Sequence, residues 1–215
     1  DCTIENGEIF FVVAKGGTYT ITDRTPVAPV TPVAPSKPAD KPDETKPTET
    51  TYPDVQPTDW YYEAVEAVTE KGLMSGTDNG FEPNLATSRA MIWTILARMD
   101  GKTVSVSGSE WYAAAQSWAS ENGVSDGSDP NGRITREQFA AMLYRYALRQ
   151  GRAGADAAAN FAGFADVESV SDWARDAMRW AVSSGIINGI DGRLCPQGEA
   201  TRAQIATMLQ RYLEK

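Results

Sequence analysis

Apolar residues recur at helical spacing in three stretches of the chain after residue 85. In each stretch they fall at positions i, i+3, i+4 and i+7, which predicts an amphipathic helix with one buried face. The three sets are Ile92, Ile95, Leu96 and Met99; Phe139, Met142, Leu143 and Tyr146; and Ile205, Met208, Leu209 and Tyr212. Three equivalent stripes predict three helices that meet on a shared axis.

A shorter helix is predicted before each of these stripes. Each begins at a Trp, continues with small apolar residues four positions apart, and ends at a Gly. The inward positions are Trp60, Ala64 and Val68; Trp111, Ala115 and Ala119; and Trp173, Ala177 and Ala181, and the closing glycines are Gly72, Gly123 and Gly185. Asp59 and Asp172 directly precede two of the Trp residues and are predicted N-caps. Trp93, Trp118 and Trp180 share no place in this pattern and are expected nearer the surface.

The same spacing is kept in all three copies, which is the mark of a repeat architecture. A second Gly follows the first after four residues, and a Ser/Thr-Arg pair then opens the second helix. We therefore predict a mostly α fold of three tandem helix-pair repeats, over residues 52–103, 104–160 and 161–215. The middle repeat is expected to differ, because its loop from Gly127 to Thr135 is four residues shorter and lacks a counterpart of Pro83 and Pro196. Residues 151–160 are expected to be an insertion.

The N-terminal quarter has a different pattern. Residues 8–14 and 18–22 are predicted strands joined by a turn at 15–17, so residues 1–25 are expected to form a β-hairpin, the remnant of a larger upstream β-domain. Prolines then recur at every third position from Pro26 to Pro38, which predicts a Pro-rich linker of polyproline II type over residues 26–51.

Composition excludes several classes of function. The net charge of −9 argues against a nucleic-acid partner. The chain has no His and only two Cys, so His-dependent catalysis and a disulfide framework are excluded, and no metal or cofactor is expected. No apolar run approaches the ~20 residues that span a bilayer, so membrane insertion is not expected.

Short motifs in order along the chain carry a resemblance. Residues 52–55 (Tyr-Pro-Asp-Val) and 164–167 (Phe-Ala-Asp-Val) open two repeats, and loops at 79–83 and 191–196 precede the helices. The pattern Thr-Arg-Ala-Glu is met as Ser-Arg-Ala-Met at 88–91, Thr-Arg-Glu-Gln at 135–138 and Thr-Arg-Ala-Gln at 201–204. In order and spacing this resembles the S-layer homology family, whose three tandem modules hold proteins on bacterial cell walls.

The resemblance implies both a fold and a ligand. The fold would be a pseudo-threefold spindle around a central three-helix bundle. The grooves between its modules would bind an anionic secondary cell-wall polysaccharide that often carries pyruvate ketals. The sequence departs from the family at Met91, Gln138 and Gln204, which stand where the family has Glu, and the second module lacks the Asp-Val opening.

The Ser/Thr-Arg pairs are the first candidate site residues. Ser88, Thr135 and Thr201 are expected to be helix caps, and Thr135 with Gln138 and Thr201 with Gln204 match capping boxes. The Arg residues that follow are Arg89, Arg136 and Arg202. A cation at the first helical position opposes the helix dipole, and capping does not require it. Each Arg therefore indicates an anion site that combines the dipole, free amides and a guanidinium, or else a salt bridge to a nearby acid.

Three further sets of candidates have alternative structural roles. The second glycines, Gly76, Gly127 and Gly189, would form tight turns or allow a sugar to approach the backbone. Asp54 and Asp166 would brace the start of a module or accept bonds from sugar hydroxyls. Trp60, Trp111 and Trp173 would pack in the core or stack on a sugar ring.

We therefore expect a non-catalytic anchor at the C-terminal end of a larger exported protein, located at the cell wall or S-layer. One alternative is a module that assembles with other surface-layer subunits. A second is a glycoside hydrolase with two catalytic carboxylates, but the repeats carry no acid pair at matching positions.

Overall fold

The computed structural model describes residues 2–5, 8–11, 52–104, 110–153, 161 and 163–215. Contacts divide the chain into two units, Asp1–Pro32 and Val33–Lys215. In the first unit, strand β1 (Cys2–Glu5) pairs antiparallel with strand β2 (Glu8–Phe11). A strand beginning at Glu8 was predicted, whereas β1 was not. The predicted turn, the strand at 18–22 and the linker at 26–51 lie outside the described residues.

The second unit is mostly helical, as the sequence predicts. Its helices are α1 (Tyr62–Glu70), α2 (Arg89–Met99), α3 (Ala113–Glu121), α4 (Arg136–Arg149), α5 (Arg175–Ser183) and α6 (Arg202–Leu213). Short 3-10 turns at Val167–Ser169 and Asp172–Ala174 precede α5.

The predicted starts of the long helices and ends of the short ones are confirmed. The side chains of Ser88, Thr135 and Thr201 each accept a bond from the backbone amide three residues later. The predicted capping box is reciprocal at Thr135 but not at Thr201, where the Gln204 side chain accepts a bond from Arg136 instead. Gly72, Gly123 and Gly185 all have φ of +65°, the left-handed conformation that closes a helix at little steric cost to Gly.

The short helices begin later than predicted, and the predicted aspartate caps are wrong. Each helix starts two residues after its Trp, which lies in the preceding turn. The Asp59 carboxylate accepts a bond from the Gln56 amide at 2.7 Å, and Asp172 accepts one from Arg175 Nε at 3.0 Å. Both side chains are bound locally, so they do not cap the helices.

The helices pair across repeat boundaries. Helix α2 packs on α3, α4 packs on α5, and α1 packs on α6. The first helix of a repeat therefore covers the long helix of the preceding repeat, and the last helix of the chain covers the first. Because each repeat buries its apolar face on a neighbour, the three repeats of the second unit share one hydrophobic core.

The apolar stripes of the long helices are buried as predicted, apart from Met99, which is partly buried. The prediction for the tryptophans is wrong in both directions. Trp93, Trp118 and Trp180 are at most 6 % exposed, whereas Trp173 is 56 % exposed. Trp118 packs on the ring of Tyr146 and Trp180 packs on those of Tyr144 and Tyr212, contacts with long helices that were not visible in the sequence.

Three backbone hydrogen bonds join the segments that lead into the long helices. The Thr87 amide donates to the Ala200 carbonyl, the Ala200 amide to the Ile134 carbonyl, and the Ile134 amide to the Thr87 carbonyl, at 2.9–3.0 Å. All three residues are fully buried. This closed ring holds the N-termini of α2, α4 and α6 beside one another.

Candidate functional site

The first amides of each long helix are bonded to a loop of another repeat. Each bond runs from an amide of the helix to a carbonyl of the loop, at 2.9–3.0 Å. The bonds are Arg89 to Gly132 and Ala90 to Pro130 at α2, Arg136 to Gly198 and Glu137 to Pro196 at α4, and Arg202 to Leu85 and Ala203 to Pro83 at α6. The free amides expected at these helix ends are therefore already bonded. The helix N-termini serve to join the repeats.

The middle repeat does have a loop proline, contrary to the prediction. Pro130 offers its carbonyl to α2 as Pro83 does to α6 and Pro196 does to α4. Each of these prolines lies five residues before the capping Ser or Thr. This spacing is visible in the sequence. It was missed because the loop length was counted from Gly127, and the middle repeat is four residues shorter between this Gly and Pro130.

The three candidate arginines hold the same loops together. Their Nε atoms donate to main-chain carbonyls, Arg89 to Ser128, Arg136 to Leu194 and Arg202 to Phe81, at 2.7–2.8 Å. Arg136 and Arg202 are only 5 % and 7 % exposed. The alternative of a salt bridge is realised at Arg89, whose Nη2 lies 2.6 Å from Asp126 Oδ1.

Burial affects the charge of these side chains. It lowers the pKa of Arg136 and Arg202, and the nearby Glu82 carboxylate opposes this shift at Arg202. Both groups remain cationic at neutral pH because an Arg titrates far above it. The Arg202 guanidinium also lies 4.5 Å from the centre of the Phe81 ring, a favourable cation–π distance.

A second set of three arginines was missed by the sequence analysis. Arg98, Arg145 and Arg211 each lie ten residues after the capping Ser or Thr. Their Nη1 atoms donate to the carbonyls of Leu73, Val124 and Ile186, the residues that directly follow the helix-closing glycines. Their identical spacing in all three repeats was the available signal.

Asp54 and Asp166 brace loops at equivalent places. The Asp54 carboxylate accepts bonds from the amides of Phe81 and Glu82, and Asp166 accepts from those of Leu194 and Cys195, all at 2.7–2.8 Å. Glu82 and Cys195 have φ of 55° and 49°. Non-glycine residues rarely adopt this conformation, and two charge-assisted bonds help to hold it.

Two of the second glycines, Gly76 and Gly189, lie against aromatic rings of the repeat openings, whereas Gly127 lies against Ser120 and Gln116. A side chain at Gly76 would collide with the ring of Tyr52, whose hydroxyl accepts a bond from the Gly76 amide at 2.9 Å. A side chain at Gly189 would collide with Phe164 in the same way, and Gly189 and Gly127 have φ of +76° and +72°. These glycines therefore have a structural reason to be glycine.

Two grooves lie where a long helix meets the next repeat. Groove 1 has a volume of about 310 Å³ and contains Arg202, Arg98 and Trp111 beside the loop at 73–77. The described residues that line it include no acidic side chain. Its charged groups are thus two guanidinium groups, both anchored to loop carbonyls.

Groove 2 is built from the equivalent elements one repeat later. It has a volume of about 260 Å³ and contains Arg89, Arg145 and Trp173. Unlike groove 1 it contains a carboxylate, Asp126, which takes the place of Ser75. The two grooves therefore differ in charge although they share one plan.

The structure divides the predicted site residues among several places. Groove 1 brings together Gly76, Trp111 and Arg202, and groove 2 brings together Arg89 and Trp173. Trp60 is partly buried and packs edge-on against Tyr61, with ring centres 5.2 Å apart. The remaining candidates are caps, turns and braces, as described above.

Comparison with known proteins adds the family. A family model described as the S-layer homology domain matches residues 51–90 and 163–206. The chain carries S-layer homology domains. These domains are non-catalytic modules that anchor proteins at the cell wall or S-layer, so they associate the chain with the cell surface. The middle repeat lies outside both matched stretches.

The relatives of this S-layer homology region include enzymes and surface-layer proteins. The chain is 30 % identical over 186 residues to an amylopullulanase of Thermoanaerobacterium thermosulfurigenes. It is 28 % identical over 184 residues to exoglucanase XynX of Acetivibrio thermocellus, and 29 % identical over 169 residues to the surface-layer 125 kDa protein of Lysinibacillus sphaericus. The matches cover 78 %, 77 % and 71 % of the chain, which spans only 10 %, 16 % and 14 % of these relatives.

Two properties of the described residues bear on partners. None of the helices in the described ranges is long and apolar enough to cross a membrane. Within the same ranges, no three His, Cys, Asp or Glu side chains are grouped in a way that could hold a metal ion.

Proposed function

We propose that the three repeats form a pseudo-threefold spindle around a bundle of α2, α4 and α6, and that the spindle anchors a larger surface protein. Its ligand would be an anionic secondary cell-wall polysaccharide, with pyruvate ketals as the charged groups. The ring of hydrogen bonds among Thr87, Ile134 and Ala200 supports the arrangement. The S-layer homology match supports the anchoring role.

Groove 1 is the principal site in this proposal, and its charge carries the argument. Arg98 and Arg202 place two cations in one cavity whose described lining residues include no acid. The chain as a whole has a net charge of −9, so a local cationic cavity stands out from its surroundings. A carboxylate on a sugar would be attracted to this cavity, while the rest of the surface would repel polyanions.

The other side chains of groove 1 suit a sugar ring. Trp111 offers an aromatic face, and Met91 and Ile95 give an apolar wall. Gly76 also lines the groove, with its amide bonded to the Tyr52 hydroxyl. Apolar walls with a few fixed polar groups are typical of small-molecule sites.

The remaining predicted site residues have supporting roles in the proposal. Arg136, Gly127, Gly189 and the caps at Ser88, Thr135 and Thr201 hold the loops that connect the helices. Asp54 and Asp166 fix two of those loops, and Trp60 is a candidate aromatic wall for a third groove beside Arg211. A ligand would therefore depend on these residues through the shape of the grooves.

A protein lattice is the second candidate function. The observation in its favour is the similarity to a surface-layer protein, which by its name belongs to such a layer. Assembly of the purified chain into oligomers without polysaccharide would favour this alternative.

Sedimentation with cell walls tests the anchoring role. The purified chain should sediment with Gram-positive cell walls that retain their secondary polysaccharide, and should remain in solution with walls from which that polymer has been extracted. Equal sedimentation with both preparations would show that the polysaccharide is not the ligand. A wall-binding protein specific for peptidoglycan serves as a control that extraction leaves the walls intact.

A further inference from the structure

We propose that groove 2 binds an uncharged sugar, so that the two grooves take different parts of one glycan. The inference rests on the proposed function, since it assumes that the grooves bind a wall polysaccharide. The observation behind it is the exchange of Ser75 in groove 1 for Asp126 in groove 2. The two residues hold the same place, three positions after the helix-closing Gly.

Asp126 is fixed in place and still open to a ligand. Its Oδ1 accepts bonds from Arg89 Nη2 at 2.6 Å and from the Ser128 amide at 3.0 Å, and its Oδ2 accepts one from Ser128 Oγ at 2.8 Å. The side chain nevertheless remains 67 % exposed. Ser125 Oγ also donates to Oδ1, at 3.4 Å, so Oδ1 accepts three bonds and Oδ2 accepts one. Oδ2 therefore keeps acceptor capacity for a ligand.

The charge of Asp126 makes groove 2 less favourable for an anion than groove 1, because it offsets one of the two guanidinium charges, those of Arg89 and Arg145. The bonds from Ser128, followed by the attraction of Arg89, hold the pKa of this carboxyl below its usual range, so it is ionised at neutral pH. Arg89 is already neutralised by this carboxylate at contact distance. A ligand carboxylate that approached Arg89 would meet the negative charge of Asp126, whereas the described residues that line groove 1 include no acidic side chain.

The rest of groove 2 offers the chemistry that neutral sugars need. Trp173 is 56 % exposed and lies among the lining residues, so its indole face can stack on the apolar face of a sugar ring. Gln138 lines the same groove, where groove 1 has Met91. An open carboxylate and an amide can together accept bonds from hydroxyl groups and donate one to a sugar oxygen.

Fluorine NMR on the full chain tests this assignment. The six Trp residues are replaced by 5-fluorotryptophan, and signals are assigned by single Trp→Phe variants. The probes are oligosaccharide fragments of the secondary wall polysaccharide, before and after mild-acid removal of their ketals. The Trp173 signal should shift with both preparations, whereas the Trp111 signal should shift only with fragments that carry ketals.

The two signals separate the failure of this inference from that of the proposed function. Loss of the Trp173 shift on ketal removal, or no Trp173 shift with either preparation, would overturn the inference whatever Trp111 shows. A Trp111 signal that shifts equally with fragments before and after ketal removal would count against groove 1 as the anion site. It would leave the assignment of groove 2 supported, provided that Trp173 responds to ketal-free fragments.

Exchanging the two groove residues sharpens the test. Asp126→Ser should weaken the binding of ketal-free fragments in groove 2, read from the Trp173 signal, at least tenfold. It should also make ketal-bearing fragments bind there more tightly than ketal-free ones. Ser75→Asp should weaken the binding of ketal-bearing fragments in groove 1, read from the Trp111 signal, at least tenfold. Unchanged affinities in both variants would contradict the inference.

Two further variants guard against indirect effects. Asp126→Asn keeps the shape of the side chain, and Asn188 shows that the fold accepts Asn at this place in the third repeat. It should make ketal-bearing fragments bind groove 2 more tightly than ketal-free ones, as Asp126→Ser does, and an unchanged ratio of the two affinities would overturn the role of the charge. Glu121→Gln makes the same charge change on an exposed residue of α3 outside both grooves, and should leave both signals unchanged.

Discussion

Arg202 Nε in the last helix lies 2.7 Å from the carbonyl oxygen of Phe81 in the first repeat, although 121 residues separate the two along the chain. The same guanidinium donates through Nη2 to the Ser75 carbonyl at 2.7 Å. This one buried side chain thus joins the last repeat of the helical unit to the first. The loop that it holds is a wall of groove 1, which links the stability of the fold to the shape of the proposed site.

Replacing Arg202 should therefore destabilise the whole helical unit. Arg202→Ala leaves two loop carbonyls without their donors, and charge-assisted bonds to buried groups contribute about 1.5–3 kcal/mol each. We expect a loss of at least about 2 kcal/mol in the free energy of unfolding, measured by urea denaturation. Arg202→Lys should recover little, because an ammonium group cannot reproduce the planar fork of donors.

Arg193→Ala is the matched control for this measurement. Arg193 is exposed, and surface substitutions away from buried networks change stability by about 0.5 kcal/mol or less. If Arg202→Ala and Arg193→Ala unfold at the same urea concentration, the contact with Phe81 does not hold the repeats together.

Asp54 should control the loop that ends at Pro83. Asp54→Ala removes the acceptor of the Phe81 and Glu82 amides, which should cost about 1–3 kcal/mol and weaken the positive-φ conformation of Glu82. Hydrogen exchange at these two amides should become faster than in the unaltered chain. Asp78→Ala, at an exposed position of the same repeat, should leave their exchange unchanged, and slow exchange in both variants would refute the bracing role.

Much of this arrangement could be predicted from the sequence, because it depends on local chemistry. The caps at Ser88 and Thr135 and the left-handed Gly72 each follow from residues within one turn of the helix end. The pairing of α1 with α6 could not be predicted in this way, since an amphipathic stripe shows that a face is buried and not what buries it. For the same reason the burial of Trp93 and the exposure of Trp173 were predicted wrongly.

The site shows the same division between local and distant information. The sequence identified Arg202 as unusual at a helix start, because a cation there opposes the dipole. Its partners are backbone carbonyls of another repeat. Because every residue has a backbone carbonyl, the sequence does not show which ones accept a bond. Arg98 has equivalents at Arg145 and Arg211, a periodic signal in the sequence, but it lies outside the Ser/Thr-Arg motif.

Tyr146 should make the fold sensitive to alkali. Burial, with a smaller contribution from Tyr212, raises the pKa of Tyr146 from 10.0 to about 12. The unfolded chain then loses this proton before the folded chain does. The contribution of Tyr146 to stability is therefore constant below about pH 10 and falls as the pH rises from 10 to 12. Tyr146→Phe should make this decline shallower, so that the free energy of unfolding lost by pH 12 is smaller by up to about 2–3 kcal/mol.

Urea denaturation at a series of pH values from 8 to 12 measures this effect. The curves for the two proteins should be parallel up to about pH 10 and converge or cross above it. Curves that stay parallel through pH 12 would show that the Tyr146 hydroxyl titrates alike in the folded and unfolded chains.

The most direct test of the central claim is calorimetric titration of the chain with purified wall polysaccharide before and after removal of its ketals. We predict that ketal removal abolishes the tight binding phase, and that Arg98→Ala weakens that phase tenfold to hundredfold, as expected for loss of one charge-assisted contact. Arg145→Ala removes the equivalent side chain from groove 2 and should weaken it less than about threefold. Tight binding that survives ketal removal, or that falls as much in Arg145→Ala as in Arg98→Ala, would contradict the assignment of groove 1 as the anion site.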